Sequence, residues 1–225
     1  MNSFRLLLLG APGSGKGTIT KKLKNVVPNL QSIASGDLLR QEIQAKTNLG
    51  QIASEYIAQG KLIPDDLIIS LVANHIGVLS QGTTSTTIMK PWLLDGFPRT
   101  LHQATALNGI LTPRDQNLTK VIELDVPESA ILGRIETRYV HVPSGRIYNS
   151  SYNPPKVSGF DDVTGEPLVK RSDDNEETII KRLKDYYTMV KPLKQFYKDK
   201  GILITVHGET SDIIFPQVLQ ALEER

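Results

Sequence analysis

The chain has 225 residues, no cysteine, and 26 basic against 24 acidic residues, which gives a formal net charge of +2. This length is enough for one α/β domain with a substantial core, and the lack of cysteine excludes disulfides and thiolate metal sites. The balanced charge, without a long basic run, argues against a nucleic-acid partner, and no apolar stretch reaches membrane-spanning length.

A glycine-rich segment at residues 10–18 directly follows the apolar run at residues 4–9. Its G-x-x-x-x-G-K pattern, between a predicted strand and a predicted helix, is that of a phosphate-binding loop. Glycines let backbone N–H groups point at phosphate oxygens, Lys16 reaches the outer phosphates, and the helix presents its positive N-terminal end. Gly17 stands where such loops usually carry a magnesium-contacting hydroxyl, and Thr18 comes one place later, which favours small-molecule kinases over GTPase-like switches.

Short apolar segments alternate with longer helical stretches along the chain, which is typical of a parallel sheet covered on both faces. We therefore predict an α/β fold, a P-loop doubly wound parallel sheet with helices on both faces. Ser35 or Asp37 is expected to cap the second helix and Asp65 the fourth. Strands are expected at residues 4–9, 31–34, 92–95, 121–126 and 202–206. Helices are expected at residues 16–27, 37–46, 49–59, 65–79, 100–110, 128–139, 175–200 and 211–224.

Two regions break this alternation. Residues 80–91 form a polar loop without chemistry that can be named. Residues 137–174 are rich in Gly, Pro, Asp and Tyr and lack helical periodicity, which predicts a small β-rich insert hinged on two helices. Beside a phosphate loop, such an insert would serve as a lid. Pro192 falls inside the following long helix and should kink it or mark a restart.

A second constellation begins at Asp95, which ends an apolar run and is followed four residues later by Arg99. This order places a carboxylate and an arginine at the carboxyl end of a strand, where ligands bind in open α/β sheets. Asp95 can hold magnesium through water, and Arg99 can grip a phosphate with two parallel hydrogen bonds. Because this turn occurs together with a phosphate loop, we favour a functional role for it over that of an ordinary surface loop.

Further motifs run through the chain, at residues 35–37 with Arg40, 60–63, 95–100 with Gln103, Arg134 with Arg138, 143–148, 161–166, Arg171 and Arg182. Together with the phosphate loop, these motifs resemble those of the long-lid adenylate kinases over essentially the whole length. The resemblance implies one P-loop kinase core over residues 1–225 with two inserts, a helical AMP-binding flap at 34–63 and a small β-rich lid at 137–174. Within the family, residues 61–66 and 208–216 most resemble those of fungal mitochondrial GTP:AMP phosphotransferases.

The resemblance also implies a role for each site residue. The donor triphosphate would contact Gly13, Ser14, Gly15, Lys16, Gly17, Thr18, Arg134, Arg138, Ile147, Tyr148 and Thr210. AMP would contact Ser35, Arg40, Lys61, Leu62, Ile63, Gly96, Phe97, Pro98, Arg99, Gln103, Arg171 and Arg182. The catalytic cations would be Lys16, Arg99, Arg138, Arg171 and Arg182. Mg²⁺ is the expected cofactor, held by Asp95 through water, and no zinc site is expected.

The chemistry of phosphoryl transfer asks for cations rather than a general base. Charge in its loose transition state is spread over the phosphoryl oxygens, and an acceptor phosphate with a second pKa of about 6 is already mostly dianionic at neutral pH. Arg134 and Arg138 are spaced to share one face of the helix predicted at 128–139, where two like charges cost stability unless an anion lies beside them. Closure of a lid and a flap would bring the arginines in as water leaves.

Four lid residues, His141, Ser144, Asp161 and Thr164, occupy the spacing at which zinc-binding relatives carry cysteine-type ligands. One imidazole, two hydroxyls and one carboxylate form a poor ligand set for tetrahedral zinc. We predict that they form a hydrogen-bonded staple between two turns of the lid, with independent turn residues as the alternative.

The leading hypothesis is a magnesium-dependent phosphotransferase that acts from a nucleoside triphosphate, GTP by resemblance, to AMP. An ordinary ATP:AMP enzyme is the nearest alternative, because a backbone carbonyl near Thr210 could meet either purine. A kinase for another monophosphate, such as uridylate, is disfavoured by the long lid and Gln103. A catalytically silent nucleotide-binding module is disfavoured because Lys16 and the arginines are all retained.

The expected partners are nucleotides, namely GTP or ATP together with AMP, with no nucleic acid and no membrane. A monomer is expected. The resemblance implies the mitochondrial matrix, with the cytoplasm as the alternative. With the first strand expected near Phe4, no cleavable presequence is expected, and an uncleaved import signal is left open.

Overall fold

The computed structural model describes residues 4–80, 91–150, 152–171 and 174–223. The strands are β1 (Arg5–Gly10), β2 (Gln31–Ala34), β3 (Trp92–Asp95), β4 (Lys120–Asp125), β5 (Arg138–His141), β6 (Arg146–Asn149) and β7 (Leu203–His207). The helices are α1 (Lys16–Val26), α2 (Ser35–Gln44), α3 (Asn48–Ala58), α4 (Asp65–Ser80), α5 (Leu101–Leu111), α6 (Glu128–Glu136), α7 (Glu176–Asp199) and α8 (Ser211–Glu223).

The main sheet has the order β2-β3-β1-β4-β7, and every neighbouring pair in it is parallel. Alternate residues of β1 enter cores on opposite faces: Leu7 packs with residues of α2, α4 and α5, whereas Leu6 packs with residues of α1, α6 and α8. Because both faces are covered, β1 is a continuous apolar run rather than an alternating one. The predicted α/β fold with helices on both faces is confirmed.

Beside β1, the connections between strands change from one face of the sheet to the other. Helix α1, which follows β1, packs on one face of the sheet through Ile19 and Leu23, whereas α5, which follows β3, packs on the other through Leu107. A crevice at the carboxyl ends of the strands forms at such a switch point and is where open α/β sheets bind ligands. The glycine-rich loop therefore lies at the position that the fold favours for a site.

Helices α2 and α3 form a tightly packed pair. A Cβ placed at Gly50 would overlap the backbone carbonyl of Glu42, so only glycine permits this approach. Thr47 caps α3, since its Oγ1 accepts the Gly50 N–H at 3.0 Å, and the same hydroxyl donates to Glu42 Oε2 at 2.6 Å. These contacts join the two helices into one unit, within the segment predicted as the flap.

Two predicted helix caps are wrong. Helix α2 begins at Ser35 itself, so its N-cap is Ala34, which has no polar side-chain atom, and the Asp37 carboxylate is paired with Arg40. Asp65 is the first residue of α4, and its carboxylate accepts hydrogen bonds from α5 and the residue before it rather than capping its own helix. In both cases a charge-assisted contact takes the carboxylate that the cap would have used.

The helix before the predicted lid ends three residues earlier than the sequence pattern predicts, whereas the insert predicted at 137–174 does leave helical structure at its first residues. Helix α6 ends at Glu136, and Arg138 already belongs to β5, which pairs antiparallel with β6. The prediction of a helix over residues 128–139, with Arg134 and Arg138 on one face, is therefore wrong. Pairing of β5 with β6 and of Val140 with Val169 outweighs the local helical pattern.

The remaining helices follow their predicted bounds within two residues. Helix α7 continues through Pro192 without a restart, and its N-cap Asn175 accepts the Thr178 N–H at 2.9 Å. Most of the predicted polar loop, residues 81–90, lies outside the described residues. None of the helices among the described residues has the length and apolar character needed to cross a bilayer.

Candidate active site

The loop between β1 and α1 curls through glycines in left-handed conformations. Gly13 has a φ of 82°, and Gly15, the N-cap of α1, has a φ of 92°, a region that side-chain-bearing residues rarely occupy. The Ser14 N–H bonds the Ala11 carbonyl at 3.1 Å, and its Oγ is a buried hydroxyl without a hydrogen-bond partner among the described residues. A buried polar atom of this kind fits a loop that receives phosphate oxygens.

Lys16 lies across the loop, with its Nζ donating to the carbonyls of Gly10 at 2.7 Å and Ala11 at 2.9 Å. Burial lowers the pKa of this ammonium from 10.5 to about 8. Asp95 opposes that effect, whereas the positive charges of the arginines around it lower the pKa further. These arginines are Arg99, Arg182 and Arg138. The lowering of the pKa of one ammonium by all three agrees with their places at the turn after β3, on α7 and at the start of β5.

Asp95 ends β3 in register with Leu8 of β1, at the carboxyl edge of the sheet. Burial raises the pKa of its carboxyl group, and the positive charges of Lys16 and Arg99 act in the opposite direction. A single carboxylate beside a phosphate-binding loop suits Mg²⁺, which usually keeps several waters and takes its other ligands from substrate phosphates. The donor set therefore fits the predicted metal role.

Gly96 lets two predicted AMP contacts come together. It has a φ of 80°, and a Cβ there would lie 2.8 Å from Ser35 Oγ and 3.1 Å from Arg99 Nη2. The exposed Arg99 side chain donates from Nε to the Gly96 carbonyl at 2.7 Å. The next two residues, Phe97 and Pro98, are buried, so their side chains serve mainly to hold this turn.

The loop that joins α3 to α4 approaches the site from the flap side. Lys61 is exposed, Leu62 is half-buried, and Ile63 lies in the core. A Cβ at Gly60 would come within 2.8 Å of Thr178 Cγ2 and 3.5 Å of Arg182 Cγ, so this loop packs against the turn of α7 that carries Arg182. The Lys181 ammonium secures the same contact by donating to the Gln59 carbonyl at 2.8 Å.

Arg138 makes a two-pronged ion pair with Asp174 at the base of the lid. Its Nε donates to Oδ2 at 2.7 Å and its Nη2 donates to Oδ1. The two side chains are 12% and 0% exposed, respectively. Asp174 was not predicted; two adjacent acidic residues beside Arg171 were visible in the sequence, but nothing local indicated which of them would face Arg138. Arg171 itself is half-buried, and its carbonyl accepts the Asp174 N–H at 3.1 Å.

Arg134 connects the phosphate loop to the turn before α8. Its Nη1 donates to the Gly13 carbonyl at 3.2 Å and its Nη2 to the Glu209 carbonyl. Burial lowers the pKa of this guanidinium. The Thr210 carbonyl accepts the Ile214 N–H at 3.1 Å as α8 begins. The structure thus brings Arg134 and Thr210, both predicted donor contacts, to the same end of the loop.

Tyr148 is held inside the lid, and its predicted contact with the donor nucleotide stays a prediction. Its ring is buried inside the lid, with its hydroxyl donating to Asp161 Oδ1 at 2.9 Å, and the neighbouring Ile147 is half-buried. The hydroxyl of Tyr148 is therefore part of the internal lid network. No local signal distinguishes this from a donor contact, since an aromatic residue next to a lid strand serves either purpose.

The predicted staple in the lid is confirmed by its contacts. The His141 ring lies 2.6 Å from Ser144 Oγ through Nδ1 and 3.3 Å from Thr164 Oγ1 through Nε2, and the Thr164 hydroxyl donates to Asp161 Oδ2 at 3.0 Å. The sequence missed Arg146, which grips Asp161 with two hydrogen bonds of 2.7 and 2.6 Å and holds the pKa of that carboxyl group well below its usual range.

Glu166 completes this network and defines the state of the ring. Its carboxylate lies 2.5 Å from His141 Nε2, and because a carboxylate only accepts, Nε2 carries the hydrogen. Nδ1 is then free to accept from Ser144 and from Arg146, whose Nη2 is 3.3 Å away. Among the described residues, no cluster of histidine, cysteine and acidic side chains has the arrangement of a metal site.

The lid contacts the core at Tyr152, and its turn at Gly145 lies near α2. Tyr152 Oη lies 2.5 Å from Ser211 Oγ at the start of α8. At the lid turn, a Cβ on Gly145 would lie 4.0 Å from Asp37 Oδ1 of α2. The lid therefore spans from the turn near Arg134 to the first helix of the flap.

Comparison with known proteins agrees with this geometry. A family model described as adenylate kinase matches residues 8–202, and the chain belongs to the adenylate kinase family. It is 57% identical over 225 residues to the "GTP:AMP phosphotransferase, mitochondrial" of Saccharomyces cerevisiae, covering all of this chain and 94% of that protein. A Drosophila melanogaster protein of the same name is 41% identical over 223 residues, which are 99% of this chain and 96% of the relative. The predicted family membership is confirmed, and with it a nucleoside monophosphate kinase.

Proposed function

We propose that this kinase transfers a phosphoryl group reversibly from GTP to AMP, giving GDP and ADP. The observation that carries the proposal is the left-handed glycine loop that holds Lys16, beside the neighbouring strand end that carries Asp95 and Arg99. A loose transition state needs that arrangement, because its charge is stabilised by positioned cations. The choice of GTP follows from the names of the relatives, which are GTP:AMP phosphotransferases at 41% to 57% identity.

The phosphate loop would hold the donor. Its backbone N–H groups, the unpartnered Ser14 hydroxyl and the Lys16 ammonium would receive the outer phosphates, with the carbonyl contacts of Lys16 replaced by phosphate oxygens. Arg134 would lie under the base, near Thr210. Mg²⁺ bound to the donor phosphates would be held by Asp95 through water and would neutralise their charge.

The AMP side would be formed by the flap and the turn after β3. Ser35 and Arg99 already meet across Gly96, which would place the acceptor phosphate at that junction. Arg182 would reach the same phosphate from α7, and Arg171 and Arg138 would approach from the lid. Such an arrangement needs no general base, because the acceptor phosphate is already mostly a dianion when its second pKa is about 6.

The segments at 34–63 and 137–174 would close over the two nucleotides. Closure matters because water left in the cleft would hydrolyse the donor. The hydrogen bond of Tyr152 with Ser211 would hold the lid to the core, and the approach of the Gly145 turn to Asp37 marks where lid and flap would meet. A bisubstrate analogue should protect amides in both segments from hydrogen exchange more than AMP alone does.

The experiment that tests the donor is a steady-state comparison of GTP and ATP, each with AMP as acceptor. We expect kcat/KM to favour GTP by about 10²-fold, because the carbonyls near the base, Glu209 and Thr210, already have partners and leave only part of their acceptor capacity. An equal or higher kcat/KM with ATP would support the ordinary adenylate kinase instead. Binding of both nucleotides without turnover would indicate a silent module.

The proposed location is the mitochondrion, since the relatives carry that word in their names. Imaging of the full chain fused to a fluorescent protein in yeast, against a matrix marker, tests this directly. A uniform cytoplasmic signal would contradict it.

A further inference from the structure

Gln103 lies at a buried position near the start of α5, and its side-chain amide is held at both ends. Its Oε1 accepts the Arg99 backbone N–H at 2.7 Å, and its Nε2 donates to Asp65 Oδ1 at 2.6 Å. The residue is only 2% exposed, so water does not compete for either bond. Asp65 is fixed in turn by Thr100, whose hydroxyl donates to Oδ2 at 3.0 Å.

The two partners of this amide allow only one orientation. A backbone N–H can only donate and a carboxylate can only accept, so turning the amide over would set donor against donor at Arg99 and acceptor against acceptor at Asp65. In the wild-type chain, the polarity of the Gln103 amide is therefore set by groups on both sides of it. Asp65 supplies the stronger of these restraints, because a hydrogen bond to a charged acceptor is about twice as strong as a neutral one.

We infer that Asp65 is a positioning residue that fixes the polarity of the Gln103 amide and so selects adenine as the base of the acceptor. This inference rests on the proposed function, because it takes AMP as the acceptor and Gln103 as a contact of its base. Asp65 itself would not touch the nucleotide. It begins α4 directly after residues 61–63, which are themselves predicted AMP contacts, so the segment that meets the nucleotide also carries the restraint.

The chemistry of the purine bases makes this polarity decisive. The restrained amide retains one hydrogen on Nε2 and one lone pair on Oε1. On the edge that carries N1 and the 6-amino group, adenine presents a ring-nitrogen acceptor beside an exocyclic donor, so an amide in this orientation can make one hydrogen bond to each. Hypoxanthine carries a carbonyl and a ring N–H at the same positions, in the reverse order. A free amide could turn over to match it, whereas an amide restrained by Asp65 meets it donor to donor.

The test compares AMP with inosine monophosphate as acceptors, using one donor, in wild type, Asp65→Ala, Asp65→Asn, Asp66→Asn and Gln103→Leu. The measured quantity is the ratio of kcat/KM for the two acceptors, in which any loss of folded protein cancels. We expect the preference for AMP to fall by about 10- to 100-fold in Asp65→Ala, since one charge-assisted hydrogen bond no longer resists turnover of the amide. Asp65→Asn is isosteric but offers both a donor and an acceptor, so it no longer excludes the reversed amide and its preference should fall in the same direction as in Asp65→Ala.

The controls separate positioning from simple loss of structure. Asp66 is the exposed neighbouring carboxylate, and Asp66→Asn removes the same charge without touching Gln103, so its ratio should equal that of wild type. Gln103→Leu should abolish most of the preference. A merely structural role for Asp65 predicts a lower kcat with both acceptors at an unchanged ratio, and that result would overturn the inference. An unchanged ratio in Gln103→Leu would overturn it as well. Failure of the wild-type protein to phosphorylate AMP would instead overturn the proposed function.

Discussion

The buried ammonium of Lys16 should make donor binding depend on pH. Its pKa is about 8 in the folded chain against 10.5 ordinarily, and the difference corresponds to about 3 kcal/mol. Because the unfolded chain binds the proton more tightly, the folded state carries this cost in full below pH 8. Stability contributed by this group therefore rises as the pH increases from about 8 to 10.5.

Binding of the donor phosphates should offset the free-energy cost of burying the charged ammonium. Their negative charge favours the protonated ammonium, so the pKa of Lys16 rises towards its ordinary value and a proton is taken up. With a pKa near 8, about three quarters of the free protein is protonated at pH 7.5 and about 3% at pH 9.5. The Kd of a non-hydrolysable GTP analogue should therefore rise about 20-fold between these two pH values.

Isothermal titration calorimetry in two buffers of different ionisation enthalpy measures both quantities at once. Proton uptake should increase from about 0.2 at pH 7.5 to about 0.9 at pH 9.5. Lys16→Met is the matched control, which should bind more weakly at each pH and show neither the proton uptake nor the added pH dependence. A wild-type Kd that stays constant across this range without proton uptake would refute the reasoning.

Four further substitutions, one control substitution and one elemental analysis have defined expectations. Arg99→Ala and Arg138→Ala should each lower kcat by on the order of 10²–10³ in steady-state assays with GTP and AMP, and near-wild-type turnover would remove that residue from the transition-state shell. Asp161→Ala should lower Tm by several degrees, because the groups that donate hydrogen bonds to this carboxylate lose their acceptor. Elemental analysis of protein purified without chelator should find no stoichiometric zinc. Bound zinc or an unchanged Tm would reject the staple. Asp174→Ala should lower the free energy of unfolding by about 3–5 kcal/mol, or Tm by about 6–20 °C, because it leaves the buried Arg138 without its partner. The control Asp125→Ala removes an exposed carboxylate and should lower the free energy of unfolding by less than about 1 kcal/mol. Equally small effects of the two substitutions would contradict the claim that burial makes the Arg138–Asp174 pair important for stability.

The central sheet could be predicted closely because its signals are local. An apolar run before the glycine-rich loop, and another before Asp95, place strands within one residue of their observed bounds. Covered parallel strands need no pattern beyond continuous apolarity, and the loop motif identifies which strand is central. The same local signals brought Lys16, Asp95 and Arg99 together.

The errors arise where a distant partner decides the local conformation. Residues 137–139 continue a helical pattern, yet Arg138 pairs with Asp174, which is 36 residues away, and begins a strand. Asp65 had the appearance of a helix cap, but its carboxylate is engaged by Thr100 and Gln103, more than 30 residues along the chain. Neither pairing leaves a trace in spacing or composition, because many acidic residues could have served equally well.

The ion pair at the base of the lid also limits how much the lid segment affects the folding free energy of the core. Arg138 and Asp174 bring together two points 36 residues apart, so the intervening chain forms a loop that is closed at its base by this pair. The entropy of closing such a loop grows only with the logarithm of its length, and doubling the length costs about 0.6 kcal/mol. Exchange or shortening of the segment distal to this pair should therefore leave folding of the core almost unaffected. The lid is in this sense a replaceable module, whose sequence can diverge under selection for closure and donor choice while the sheet and the phosphate loop stay the same.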